Sequence, residues 1–97
     1  MFIHFGRVFI LLLNYISLRL LYGESRVLLR KQAKFEQNQD LRTFLLNTGD
    51  KTLAEATTDK FWGVGIKLDH PNLMDSNHWT GRNVMGNLLM TVRANLQ

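Results

Sequence analysis

The amino-acid sequence predicts a mainly helical α+β domain: two helices, a short strand, a glycine- and tryptophan-rich loop and a C-terminal helix. Three observations carry that reading. Apolar residues recur at helical spacing in segments 25–37, 38–49 and 80–96. Residues 51–56 alternate instead, and residues 57–81 hold turn chemistry with no sustained period.

The first helix is expected to be capped by Ser25, with Val27, Leu28 and Phe35 on one face, and to run to the polar Glu36-Gln37-Asn38. The second is capped by Asn38 or Asp40, carries the stripe Leu41, Phe44 and Leu45, and ends with Gly49 as a left-handed residue. In segment 51–56, Leu53 and Glu55 share one face and Thr52, Ala54 and Ala56 the other, as in a short half-buried strand. A carboxylate on the face of Leu53 is costly unless it is paired or used. The loop holds Gly63, Gly65, Gly81, Pro71, both tryptophans and the turn sequences Asp69-His70-Pro71-Asn72 and Asp75-Ser76-Asn77. The last helix starts at Thr80 or Gly81, with Val84, Met85, Leu88, Leu89, Val92 and Leu96 as a broad stripe. Gly86 inside it costs about 1 kcal/mol relative to alanine, which implies a close approach of another group to the backbone.

Ninety-seven residues allow at most one small domain, and the absence of cysteine removes disulfides, thiolate metal sites and thiol nucleophiles. The net charge of +4 is uneven. Residues 1–34 carry six basic residues against Glu24 alone, whereas residues 35–97 carry six basic and seven acidic residues. Arg26, Arg30 and Lys34 fall at i, i+4 and i+8, a basic helix face that is either solvated or meets phosphate. Between Arg7 and Arg19 lie eleven uncharged residues, too few to span a membrane, where about 20 are needed. No small-x-small cleavage site follows them. Segment 8–13 suits a central strand of a sheet, a helix covered on all sides, or a weak membrane contact.

Several chemistries are weakly supported. Asp69, His70, Asp75 and His78 include one Asp-x-x-His pair but no HExxH, and a GxSxG, a GxGxxG and a phosphate loop are all missing. What stands out is D-K-F-W-G-V-G at 59–65 followed by G-R-N-V-M-G at 81–86. Trp62 can stack on a base, Gly63 and Gly65 can bring backbone amides to phosphate or sugar oxygens, and Asp59 and Glu55 supply carboxylates. Arg82 and Asn83 at a helix start make an anion site. The plainer alternative makes Phe61 and Trp62 core residues and the glycines turns.

Four blocks in order, A-K-F-E-Q-N-Q-D-L (33–41), L-L-N-T-G-D-K-T-L-A-E-A (45–56), D-K-F-W-G-V-G (59–65) and W-T-G-R-N-V-M-G-N-L-L-M-T-V-R (79–93), resemble the C-terminal half of a NADAR domain. The resemblance covers about 70 of the 97 residues, from 26 to 96. It implies an N-glycosidase acting on a ribosylated nucleobase, either a riboflavin-pathway ribosylamino-pyrimidine phosphate or an ADP-ribosylated guanine. By the same resemblance Asp59, Trp62, Gly63 and Gly65 match the D-x-x-W-G-x-G pocket motif, Glu55 the glutamate of L-x-E, and Gly81, Asn83 and Gly86 the G-x-N-x-x-G element. Asp59 and Glu55 are then the candidate catalytic carboxylates, Asp59 facing the ligand and Glu55 partly buried in support. Trp62, Gly63, Gly65, Gly81, Arg82, Asn83 and Gly86 are the candidate substrate-binding residues.

The resemblance implies a nucleotide-like or ADP-ribosyl small molecule as partner and nucleic acid only as an ADP-ribosylated substrate; no cofactor and no metal are expected, the short apolar run predicts no stable membrane span, and the absence of cysteine suits a cytoplasmic protein. The family's N-F and E-H-x-x-Q elements find no match, and residues 1–22 contain no glutamate. Residues 1–24 are therefore expected to be an apolar, basic leader, and 25–97 a truncated domain whose pocket a partner chain would complete. Two other readings compete with hydrolysis: a non-catalytic remnant that retains nucleotide or ADP-ribose binding, and a basic protein associating with RNA or membranes through residues 1–34.

Overall fold

The computed structural model describes residues 2–5, 8–11 and 24–97. Its elements are β1 (Phe2–Phe5), β2 (Val8–Leu11), α1 (Glu24–Gln37), α2 (Gln39–Asn47), β3 (Thr52–Glu55), a 3-10 turn (Ser76–His78) and α3 (Val84–Leu96). The fold is mainly helical α+β. Its sheet has the order β1-β2-β3. β2 lies antiparallel to β1 and parallel to β3, with Phe9 opposite Leu53 and Leu11 opposite Glu55. The apolar run near the start thus supplies a central strand over Val8–Leu11, and its continuation through Leu13 lies outside the described residues.

Asn38 both closes α1 and opens α2. Its N–H donates to Lys34 O at 3.1 Å, and its extended backbone lets the side-chain oxygen accept from Leu41 N at 3.1 Å. Asp40 falls inside the first turn, where its charge complements the helix dipole. Gly49 ends α2 at φ +64°, donating its N–H to Leu46 O at 3.0 Å. Two expected boundaries move. Ser25 lies within α1, which begins at Glu24. α3 begins at Val84, several residues after Thr80 and Gly81, because Asn83 takes a left-handed conformation (φ 53°, ψ 42°) that cannot continue a right-handed helix.

α3 packs on both β3 and α1. The main core gathers Val27 and Phe35 of α1, Leu45 of α2, Leu53 of β3, Trp62 of the loop and the stripe Val84, Met85, Leu88, Leu89, Val92 and Leu96. A second cluster of Ala54, Ala56, Val64 and Leu73, with Ile66 and Trp79 against it, lies under the loop. β3 is therefore covered on both faces rather than half-buried: Leu53 enters one cluster and Ala54 the other, and both are wholly buried. The small side chain of Ala54 fits where the loop folds back over the strand. Phe44 also departs from the expected stripe at 46 % exposure, and Leu46 packs against the core in its place.

Arg93 ties the C-terminal helix to the α2–β3 link. Only 7 % exposed, it donates to Thr48 Oγ1 at 2.8 Å and to Lys51 O at 2.9 Å. Burial lowers its guanidinium pKa and Asp50 opposes that shift, yet an arginine keeps its charge at any ordinary pH. Arg42 donates to Leu96 O at 3.1 Å and so closes the end of α3.

The close approach implied by Gly86 is the β3 backbone. A Cβ at this position would meet Leu53 O at 2.0 Å and the Asn83 side-chain nitrogen at 2.5 Å. Gly86→Ala is therefore expected to destabilise the fold by about 1–3 kcal/mol through overpacking, against the roughly 1 kcal/mol gain that helix propensity alone would give. Urea denaturation of the two proteins reads the sign directly.

Candidate functional site

The segment from β3 to the start of α3 is one interlocked backbone unit. Asp59 organises its first turn: Oδ1 accepts from Phe61 N at 2.9 Å and Trp62 N at 2.8 Å, and the Asp59 carbonyl accepts from Gly63 N at 3.0 Å. Thr57 Oγ1 in turn accepts from Asp59 N at 3.3 Å. An aspartate at that position is an N-cap-like acceptor, so the D-x-x-W spacing has a conformational cause.

The turn then receives the start of α3. Arg82 N donates to Lys60 O at 2.7 Å, Asn83 N to Gly63 O at 2.8 Å, Val84 N to Phe61 O at 3.1 Å and Met85 N to Trp62 O at 3.0 Å. These four amides are spent inside the protein, so they do not form the anion site that a helix start suggests. Thr80 N and Gly81 N both donate to Val64 O, at 3.0 and 2.8 Å. This contact is so close that a Cβ on Gly81 would meet Gly63 O at 2.3 Å, and one on Gly65, at φ +88°, would meet Gly81 N at 2.8 Å. Gly63 is bounded equally tightly by Thr57 and the Asp59 and Glu55 carbonyls. The glycines of W-G-x-G and G-x-N are spaces for the protein's own backbone.

Asn83 is the hinge of the arrangement. It is 5 % exposed and sits in the left-handed region at φ 53°, ψ 42°, which asparagine tolerates better than most residues. Its Oδ1 accepts from Glu55 N at 2.9 Å and its Nδ2 donates to Leu53 O at 2.8 Å. The Glu55 carbonyl accepts from Val64 N at 2.9 Å. Glu55 is thereby held at the end of β3 from both sides, with its carboxylate in a residue only 2 % exposed.

The aromatic pair divides its roles. Trp62 is 3 % exposed and joins the main core, and Phe61 meets it edge-on with ring centroids 5.0 Å apart and planes at 84°. The partly exposed ring is Phe61, and the Arg82 guanidinium lies 5.0 Å from its centroid. Trp79 Nε1 donates to Leu73 O at 2.7 Å and holds the outer loop. His78 pairs with Asp75 at 3.5 Å on an exposed 3-10 turn, and Asp75 Oδ1 caps Asn77 N at 3.0 Å. Among the described residues no three His, Cys, Asp or Glu side chains converge on a metal-sized site. Among the same residues no helix is long and apolar enough to cross a membrane.

One cation that no motif marks, Lys31, feels the charge of the buried Glu55. A cavity of about 240 Å³ is lined, among the described residues, by Val27, Arg30, Lys31 and Lys34 of α1. Burial and the neighbouring Lys34 hold the Lys31 ammonium below its ordinary pKa, and the Glu55 carboxylate pulls it part of the way back. The helical spacing of Arg30 and Lys34 signalled a basic face, whereas the inclusion of partly buried Lys31, and of Glu55 behind it, needed the packing of α1.

The class of structure is thus a mainly helical α+β domain with a buried glutamate at the end of β3 and a cation-lined cavity on α1. The sequence model of the NADAR domain matches residues 24–97, and the chain belongs to that family. It is 44 % identical over 61 residues to N-glycosidase R617 of Acanthamoeba polyphaga mimivirus, covering 62 % of this chain and 36 % of that protein. Protein irg-1 of Caenorhabditis elegans is 41 % identical over 64 residues, 65 % of this chain and 30 % of the relative. N-glycosidase YbiA of Escherichia coli K12 is 39 % identical over 66 residues, 67 % of this chain and 34 % of the relative. The matched parts span about a third of each of these proteins.

Two expected outcomes follow from the geometry. Asn83→Ala removes one acceptor and one donor from buried backbone groups and places alanine in the left-handed region, so it should cost roughly 2–4 kcal/mol. Asn83→Gly, which relieves the conformational part, should cost less in the same urea titration. Lys31→Met should stabilise the fold at neutral pH. The lowered pKa means that the folded state penalises the ammonium fully below its folded pKa, and that this penalty fades as pH rises toward 10.5. The stability gap between variant and parent should therefore narrow on alkalinisation; a constant gap would contradict it.

Proposed function

We propose that this protein hydrolyses the N-glycosidic bond of a ribosylated nucleobase or an ADP-ribose derivative, with Glu55 as the carboxylate that acts at the sugar. The observation that carries the reading is the placement of Glu55: a buried acid, clamped through its backbone by Asn83 and Val64, within electrostatic reach of a cation-lined cavity. Membership of the NADAR family and the printed N-glycosidase names of two relatives support the same bond class.

Cleavage of C1′–N passes through an oxocarbenium-like sugar, as in other glycoside hydrolyses. The electron pair leaves with the base nitrogen, which takes up a proton, and water adds to C1′ with loss of its own proton. A carboxylate in a desolvated setting stabilises the developing positive charge and can accept the proton of the incoming water. Asp59 serves this reaction by shaping the Phe61–Trp62 turn through Oδ1. Gly63, Gly65, Gly81 and Gly86 allow that turn, α3 and β3 to meet. Phe61 and Arg82 supply a partly exposed aromatic and cationic surface at the same turn, suited to a base and an anionic group. A nucleotide-derived substrate is consistent with a cytoplasmic setting.

Purified protein incubated with ADP-ribosylated guanosine, and separately with a ribosylamino-pyrimidine phosphate, is expected to release free base from one of them, read by chromatography. Glu55→Gln should lower the rate roughly 10²–10⁴-fold, the usual loss for a general acid or base. Asp59→Asn should keep the fold, since an amide oxygen can still accept from Phe61 N and Trp62 N. Ligand binding without base release would overturn hydrolysis and favour the reading of a binding domain.

A further inference from the structure

We propose that Asn83 is a positioning residue for the hydrolysis: its side chain fixes where Glu55 stands relative to the Phe61–Arg82 surface, and it serves the chemical step rather than ligand binding. This rests on the glycosidase reading of Glu55. Three hydrogen bonds close a ring around the acid. Glu55 N donates to Asn83 Oδ1 at 2.9 Å, Asn83 N donates to Gly63 O at 2.8 Å, and Val64 N donates to Glu55 O at 2.9 Å. Gly63 and Val64 are consecutive, so the loop that holds the Glu55 carbonyl is itself held by Asn83. The chain neighbours of Asn83 carry the connection outward. Arg82 N donates to Lys60 O at 2.7 Å and Val84 N to Phe61 O at 3.1 Å, and the Arg82 guanidinium lies 5.0 Å from the Phe61 centroid. One side chain thereby ties the acid to the aromatic and cationic groups that would face the base.

The amide of Asn83 bonds the two peptide groups on either side of Ala54, and one of them is the N–H of Glu55 itself. Among the described residues Asn83 is the one non-glycine at positive φ. A conformation of that kind persists where the surroundings over-determine it, and such residues cluster at active sites. Glycine would adopt the same backbone more readily but would leave Glu55 N and Leu53 O without their partner. The start of β3 is anchored differently, by Arg93 on Lys51 O and Thr48 Oγ1. That anchor lies at the opposite end of the strand from Glu55, so it stabilises β3 without bonding the acid's own peptide. Reaction at C1′ demands alignment of the carboxylate, and a displacement of about 1 Å can cost on the order of 10²-fold in rate. Loss of the Asn83 amide frees the acid, whereas the backbone bonds that set Phe61 and Arg82 do not involve this side chain.

The test is a double-mutant cycle on the full chain, with ADP-ribosylated guanosine or the ribosylamino-pyrimidine phosphate, whichever the parent cleaves. Asn83→Gly should lower kcat about 10–100-fold and leave KM within about twofold. In a Glu55→Gln background the same substitution should change kcat by less than about threefold, because the group it positions has gone. Asn83→Ala and Asn83→Gly differ in stability but lack the same amide, so kcat per folded molecule should fall by the same factor in both. Arg93→Met, destabilised from the other end of β3, should keep kcat per folded molecule within about twofold of the parent. Hydrogen exchange supplies a readout without substrate: in Asn83→Gly the Glu55 amide should exchange about tenfold faster than the loss of global stability accounts for. Additive losses with Glu55→Gln, a fall carried by KM, or rates that follow stability across the three variants overturn the role of Asn83 and leave the glycosidase reading standing. No base release by the parent, or a Glu55→Gln protein as active as the parent, removes that reading and the positioning role with it.

Discussion

The side chain of Asn83 does for β3 what another strand would do. Its amide pairs with Leu53 O and Glu55 N, two groups two residues apart on the same strand edge. In a domain this small, an edge left open inside the protein would cost more than a surface bond can return. Everything nearby is arranged around that clamp. The left-handed turn at Asn83 aims the amide, Gly86 lets α3 come down on the Leu53 carbonyl, and the 60–63 turn accepts the amides that lead into the helix. The N-x-x-G spacing is thus a docking device for a strand on a helix start.

The same constraint explains why this loop contains so many glycines and why the acid sits where it does. Two irregular segments, 63–65 and 80–81, touch backbone to backbone with the Thr80 hydroxyl against Gly65, which leaves no space for a Cβ at Gly65 or Gly81. With the loop locked, Glu55 is carried into the interior by its own main chain and not by a side-chain preference. Burial of an acid is unfavourable in itself. The nearby positive charge of Lys31 offsets part of that cost, and the carboxylate in turn opposes the lowering of the Lys31 pKa by burial and by Lys34.

Much of the fold was legible because local chemistry and tertiary packing agree there. Asn38 as a cap, Gly49 as a left-handed stop and the stripe of α3 each have causes within a few residues of themselves. The boundaries that moved lie where a distant segment competes for the backbone. α3 begins at Val84 because Asn83, clamped on β3, is left-handed, and β3 is covered twice because the loop returns over Ala54. Of the motif residues that the sequence singles out, several act inward. Trp62 joins the core, and Gly63, Gly65 and Gly81 receive backbone. A spacing pattern marks that a position is constrained without saying from which side.

By itself the sequence determined the fold class, the order of the elements from α1 to α3, the turn residues and the family, because each is written in local periodicity or in contiguous motifs; it left β1 unmarked and segment 8–13 open between strand and helix. It also placed Glu55 on the face of Leu53, since the period of a strand allows no other assignment. Only the tertiary structure decided which cations approach that carboxylate and which amides are already spent. Lys31 and Glu55 stand 24 positions apart, and nothing local relates them. Their meeting depends on how α1, α3 and β3 pack, and electrostatic effects depend on distance and burial, quantities that a linear pattern does not contain.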